Sequence, residues 1–282
     1  MKDRKITFIK NVGLVSLGPI IVSLVGFLAE PWISRMWGPE LYGLGAYFYS
    51  VLQILTPSLF LRYNFAIVQA ADHREASNLL ILSLLIFSAL FLVVVLFYPF
   101  LASLLGESFP FERYKAYFLS SLLAGSLAIL LRFWSSHMKR FGVQTMSVIL
   151  LQIVPVILLL LLGYQGRVGE RQMIWVKSVA YYCFPLLMIL SFVFKDAGKV
   201  ARLSSWQGLK EVAKKYVDYP RHEYLGFVAN LLVFNFPVIL IAKYWGNEAS
   251  GLYAKAFTIL YMFVLLLGDS VNRVLHKEAA DM

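Results

Sequence analysis

Residues 35–46 read RMWGPELYGLGA, and residues 243–254 read KYWGNEASGLYA. Six of the twelve positions are identical: Trp37/Trp245, Gly38/Gly246, Glu40/Glu248, Gly43/Gly251, Leu44/Leu252 and Ala46/Ala254. A seventh pair, Arg35/Lys243, keeps its charge. A match this short gains weight only if the two copies occupy equivalent places in the fold. The surrounding composition decides that.

The chain has 282 residues, 60% of them apolar or aromatic and 15% charged, with a mean hydropathy of +0.71. A soluble domain of this composition would expose large apolar patches and aggregate. Many membrane spans of about 20 apolar residues each resolve the difficulty. Eight apolar runs answer to that length: 11–33, 41–61, 78–105, 116–134, 141–164, 173–194, 223–242 and 251–275. Each is apolar all round, as a helix surrounded by lipid or by other helices must be. The fold class expected is an all-α polytopic membrane protein with about eight transmembrane helices. The basic start, MKDRKITFIKN, precedes an apolar run too long for a signal-peptide core and reads as a retained first span.

Orientation follows from the Lys and Arg residues between the runs. With the N-terminus inside, 18 of the 26 cationic residues fall in cytoplasmic segments and 8 in external ones. Both termini are then cytoplasmic. The net charge of +10 becomes a property of short loops beside anionic headgroups, and no nucleic-acid partner is expected. The single cysteine, Cys183, forms no internal disulfide. No metal cluster, cofactor motif or catalytic constellation stands out, so neither cofactor nor enzymatic activity is expected.

The first copy of the repeat now joins spans one and two, and the second joins spans seven and eight. Both follow an outward-running span, so they are topologically equivalent. The motif has a physical sense. The cation can snorkel at the outer interface, the tryptophan suits the aromatic belt, the glycine permits a turn, and the glutamate meets the positive end of the next helix. The chain therefore reads as one six-helix bundle (1–194), a cytoplasmic basic linker (195–222), and the first two helices of a second bundle (223–282). Six prolines, Pro19, Pro57, Pro99, Pro155, Pro185 and Pro237, fall inside spans, where each removes a backbone hydrogen bond. In the linker, SSWQGLKEVAKKYV places Trp206, Leu209, Ala213 and Tyr216 on one helical face, with Ser205 as N-cap. The segment reads either as a helix on the membrane surface or as a solvated connection between bundles.

Three stretches resemble the bacterial O-antigen and polysaccharide repeat-unit flippases of the multidrug/oligosaccharidyl-lipid/polysaccharide exporter superfamily. They are WGPELYGLGAYFYS (37–50), SLFLRYNFAIVQAADHREASNLL (58–80), and the run from YVDYPRHEYLGF at 216 through KYWGNEASGLYAKAF into HKEAA at 276–280. The resemblance implies two six-helix bundles around a central cationic cavity, and export of polyprenyl-pyrophosphate-linked oligosaccharides by alternating access, as in O-antigen and lipopolysaccharide biosynthesis. It implies lipid-linked oligosaccharide and membrane lipids as partners, with the polysaccharide polymerase and chain-length machinery nearby. It also implies four further spans that residues 1–282 do not contain.

Such a cargo needs cations at membrane depth to hold its phosphates. The candidates near the outer face are Glu30, Arg35, Lys177 and Lys243. Near the inner face they are Arg62, Arg132, Arg221 and Arg273, the last paired with Asp269. Arg62 ranks first because it lies in the block resembling the family and closes span two on the cytoplasmic side. Glu30 ranks second because acids gain nothing from the positive-inside bias, and it reads either as paired with Lys177 or as a protonatable, cation-coupling group. Three other readings stay open at this point: an exporter of cationic drugs with the same fold, a membrane enzyme acting on polyprenyl phosphates, and a remnant that does not transport.

Overall fold

The computed structural model describes the backbone of residues 2–106 and 109–281, and the side chains of 24–106 and 109–260. All regular structure among them is helical. The elements are α1 (Lys2–Ser58), α2 (Tyr63–Gln69), α3 (His73–Leu96), α4 (Tyr98–Leu105), α5 (Lys115–His137), α6 (Phe141–Tyr164), α7 (Glu170–Lys195), α8 (Ala197–Leu203), α9 (Trp206–Lys215), a π turn (Tyr219–Glu223) and α10 (Tyr224–Asp281).

The two longest elements are hairpins rather than rods. Within α1, Gly38 has φ 65° and ψ 166°; within α10, Gly246 has φ 85° and ψ 173°. Only glycine enters that region readily. In a straight helix Glu30 and Tyr42 would stand about 18 Å apart, yet their side chains come to 3.5 Å. Likewise the Phe234 and Phe257 rings lie 6.4 Å apart, where a straight helix would separate them by about 34 Å. Both chains therefore reverse at the motif's first glycine, where the repeat predicts a turn.

The eight expected runs accordingly correspond to two limbs of α1, two limbs of α10, and α3, α5, α6 and α7. Run three is split, because Phe97 leaves the helix and Pro99 opens α4. Among the described residues five helices are long and apolar enough to cross a membrane, or six if the 60° bend between α1 and α2 is counted within one span. That count falls short of eight because each hairpin enters it as a single helix, Tyr219–Leu260 and Leu24–Ser58, and the limbs beyond residues 24 and 260 lie outside it. The protein is a multi-pass, all-helical membrane protein.

The two hairpins pack against each other through the repeat itself. A Cβ added to Gly43 would overlap the Asn247 carbonyl, and one added to Gly251 would overlap the Pro39 carbonyl. Pro39 and Asn247 are equivalent positions of the motif, as are Gly43 and Gly251. Each copy thus presses its second glycine onto the backbone of the other, as a local two-fold axis requires. The copies lie at one end of the bundle, here called the turn end. Lys255 Nζ donates to Ser34 Oγ across the same junction, and Lys243 Nζ donates to the Leu104 carbonyl at 3.2 Å.

The two tryptophans of the repeat differ. Trp245 is exposed, as an interfacial anchor should be. Trp37 departs from the aromatic-belt expectation: it is 2% exposed and donates to the Leu159 carbonyl at 3.0 Å. The difference has a plain cause: α6 packs beside the first copy.

The opposite end is tied by polar contacts. Asp72 caps α3 by accepting from the Glu75 amide at 2.7 Å, while Glu75 accepts from the Ala71 amide at 2.7 Å, a reciprocal capping box. Arg140 donates to both carboxylate oxygens of the fully buried Asp196, at 2.5 and 2.8 Å, and Trp134 Nε1 adds a third bond at 3.0 Å. Helix α9 begins at its expected cap, Ser205 accepting from the Gly208 amide at 3.1 Å. Its apolar face corrects the expected one: Leu209, Val212 and Tyr216 are buried against the protein, while Trp206 is 67% exposed. Gly208 sits on the Asn78 side chain, Tyr63 Oη donates to the Ala213 carbonyl at 3.0 Å, and Lys215 pairs with Glu75. These contacts turn the face towards the start of α3.

Candidate functional site

A cavity of about 470 Å³ lies between the two hairpins, α6 and α7. Its position follows from the repeat: the close contact at Gly43 and Gly251 closes the turn end, and larger side chains hold the helices apart beyond it. The first limb of α1 contributes Phe27, Glu30 and Ile33; the second contributes Tyr42, Ala46, Tyr49 and Ser50. Helix α6 supplies Gln152 and Pro155, α7 supplies Lys177, and α10 supplies Asn235 and Phe257.

Most of this lining is apolar, and its charges are gathered in one place. Tyr42 Oη donates to Glu30 Oε2 at 3.5 Å. The Tyr42 ring has Lys255 Nζ 4.9 Å from its centroid and Lys177 Nζ 5.9 Å from it, both within cation–π range. Lys177 and Lys255 are the two cations whose fields act on the Glu30 carboxylate, and Glu30 Oε1 is buried with no hydrogen-bond partner among the described residues. The rise of an α-helix puts these three charged residues about 10–14 Å along their helices from the turn end. With all three ionised the cluster carries one net positive charge. In an apolar cavity that charge is screened far less than it would be in water.

The candidates named from the sequence divide sharply. Glu30 and Lys177 both line the cavity, near enough for the Lys177 charge to act on the Glu30 carboxylate, with no direct ion pair between them. Arg35 and Lys243 are exposed at the turn end. Arg132 and Arg221 are exposed towards the other end, Arg132 lying against the Phe133 ring at 5.9 Å. Asp269 and Arg273 fall outside the residues whose side chains are described. Arg62 does not line the cavity. It stands at the start of α2 with φ 69°, pairs with Glu223 at 3.3 Å, and lies between the Phe65 and Phe227 rings at 4.4 and 4.5 Å. Its contacts bridge α2, the π turn and α10, so it ties the first bundle to the second hairpin.

Lys255 was not singled out from the sequence. It lies one residue beyond the repeat, where it reads as one more interfacial lysine. Only the packing of the hairpins brings it to Tyr42. The available signal was its place one turn inside an otherwise apolar run.

The sequence resemblance implied two six-helix bundles around a central cationic cavity, and a family comparison bears on that resemblance directly. The polysaccharide biosynthesis protein family profile matches residues 8–276. The chain belongs to that family. Comparison with curated proteins and with solved structures gives no significant match. The matched range includes both hairpin turns and every residue that lines the cavity. Membership makes the protein a membrane component of polysaccharide biosynthesis.

Proposed function

We propose that the protein carries polyprenyl-pyrophosphate-linked oligosaccharide units across the bacterial cytoplasmic membrane by alternating access, with its turn end outward. One observation carries this reading: Glu30 and Lys177 line an apolar cavity between repeat-related halves, with Lys255 beside them at the Tyr42 ring, within a polysaccharide biosynthesis family. Lys177 and Lys255 are the groups we assign to the pyrophosphate. Glu30 holds their place when the site is empty, because two unpaired ammonium groups at this depth would be costly. Arrival of a phosphate replaces one carboxylate with a stronger, more highly charged acceptor. A cation exporter would need an acid free of competing bases, and here the charges of Lys177 and Lys255 both act on the one acid. The external excess of basic residues is small beside the internal one, which supports the orientation.

The test is binding of undecaprenyl pyrophosphate to the purified chain in lipid nanodiscs. Charge-assisted hydrogen bonds contribute about 1.5–3 kcal/mol. Lys177→Ala and Lys255→Ala should therefore each weaken binding about 10- to 100-fold, and Lys214→Ala, on the exposed side of α9, should leave it unchanged. Equal binding by all four proteins would remove the assignment.

A further inference from the structure

The charged cluster occupies only part of the cavity. Farther from the turn end, Tyr49, Gln152 and Asn235 also line it. Their Cα atoms lie about 16–18 Å along their helices from that end, roughly one helical turn beyond the charges. They come from three separate elements, α1, α6 and α10, yet they meet at one level.

Resting on the lipid-linked reading above, we propose that this second tier is a saccharide-binding subsite. Its chemistry differs from that of the first. Gln152 and Asn235 each offer two N–H donors and a carbonyl acceptor in one plane, a match for neighbouring sugar hydroxyls that both donate and accept. Asn235 uses one amide N–H on the Leu231 carbonyl at 2.9 Å and carries a second N–H and its oxygen besides. Tyr49 adds a phenol, held by a hydrogen bond from Gln53 and packed beside the Tyr181 ring at 6.1 Å.

A backbone group joins them. Pro155 lies inside α6 and has no N–H, so the carbonyl four residues earlier, on Leu151, loses its helical donor. Leu151 itself lines the cavity. The freed oxygen and the amide oxygens are acceptors, which repel phosphate oxygens and suit hydroxyl donors. Aromatic faces complete the set. Phe234 and Phe257, 6.4 Å apart, line the same cavity. The electron-rich face of an aromatic ring attracts the partly positive C–H face of a pyranose. The tier therefore accommodates a polar, uncharged, ring-shaped ligand, and the lysine tier an anionic one. A sugar joined to a pyrophosphate presents both in that order.

The experiment uses the full chain in nanodiscs and two probes: bare undecaprenyl pyrophosphate, and the same lipid bearing an N-acetylhexosamine disaccharide. Wild type should bind the glycosylated lipid about tenfold more tightly, as two to three neutral hydrogen bonds allow. Gln152→Leu and Asn235→Leu should erase that difference while leaving the bare lipid's affinity within about twofold, which also verifies that each variant is folded. Lys177→Ala should weaken both probes alike. Wild type that binds neither probe overturns the lipid-linked reading beneath the proposal. Wild type that binds both equally, or variants that weaken both equally, overturns the saccharide subsite alone.

Discussion

Gly43→Ala is the substitution whose outcome the repeat contact fixes most closely. A methyl group there would lie 2.8 Å from the Asn247 carbonyl carbon and 2.7 Å from Ser250 Oγ, where ordinary contact begins near 3.4 Å. The Ser250 hydroxyl can rotate, but the carbonyl belongs to the backbone. Clearing the carbonyl carbon alone takes about 0.6 Å, and clearing its oxygen, which the methyl overlaps outright, takes more, so the forced overpacking falls at the upper end of about 1–3 kcal/mol. Gly251→Ala meets the Pro39 carbonyl carbon at 2.9 Å and the Gly43 amide nitrogen at 2.9 Å, and should cost a similar amount. Once one substitution has parted the hairpins, the second meets less resistance, so the double variant should fall short of the sum by about 0.5 kcal/mol or more. Gly26→Ala serves as the contrast. Nothing lies within 4 Å of its added methyl, and replacing a helical glycine should stabilise by about 0.5–1 kcal/mol. Equilibrium unfolding of the purified chain in mixed micelles gives all four values. Gly43→Ala as stable as wild type, or full additivity with Gly251→Ala, would refute the reciprocal contact.

Three further outcomes follow from the same geometry. Asp196→Asn leaves Arg140 facing a neutral amide in a buried site and should cost about 3–5 kcal/mol by the same unfolding measurement; a cost under about 1 kcal/mol would mean that the pair is not buried. Gly38→Ala and Gly246→Ala force a methyl-bearing residue into backbone that only glycine adopts readily, and each should cost about 1–3 kcal/mol, with no loss expected if the chain continued straight through these positions. Trp37→Phe should cost about 0.5–1.5 kcal/mol by removing the indole's hydrogen bond to the Leu159 carbonyl, whereas Trp245→Phe, at an exposed site, should change unfolding by less than about 0.5 kcal/mol.

What the sequence made legible was whatever depends on one helix at a time. The run at 141–164 coincides with α6, and Ser205 caps α9 as its hydroxyl allows. The repeat announced both hairpin turns, because a backbone that only glycine enters leaves a mark on the residue type. What stayed hidden depends on which helix stands beside which. Trp37 and Trp245 are the same letter in the same motif, and only the neighbouring α6 buries the first. The amphipathic pattern of α9 located an apolar face, but lipid and the start of α3 are equally good apolar partners on paper. Arg62 was the leading candidate because its neighbourhood resembles the family, yet its guanidinium is held by Glu223 and two phenylalanines away from the cavity. Lys255 escaped for the converse reason: an interfacial lysine and one held between two hairpins look alike until the opposing tyrosine is in place.

The account stands on the two hairpins meeting through the repeat, with Lys255 reaching into the first. Cross-linking tests this directly. Ser34→Cys and Lys255→Cys, introduced together with Cys183→Ala and treated in membranes with a short bifunctional thiol reagent, should link residues 34 and 255 within one chain. Protease cleavage in the 195–222 segment should then leave the two fragments joined. Both thiols reacting singly, with the fragments separating on cleavage, would contradict the packing on which the cavity and its assignment depend.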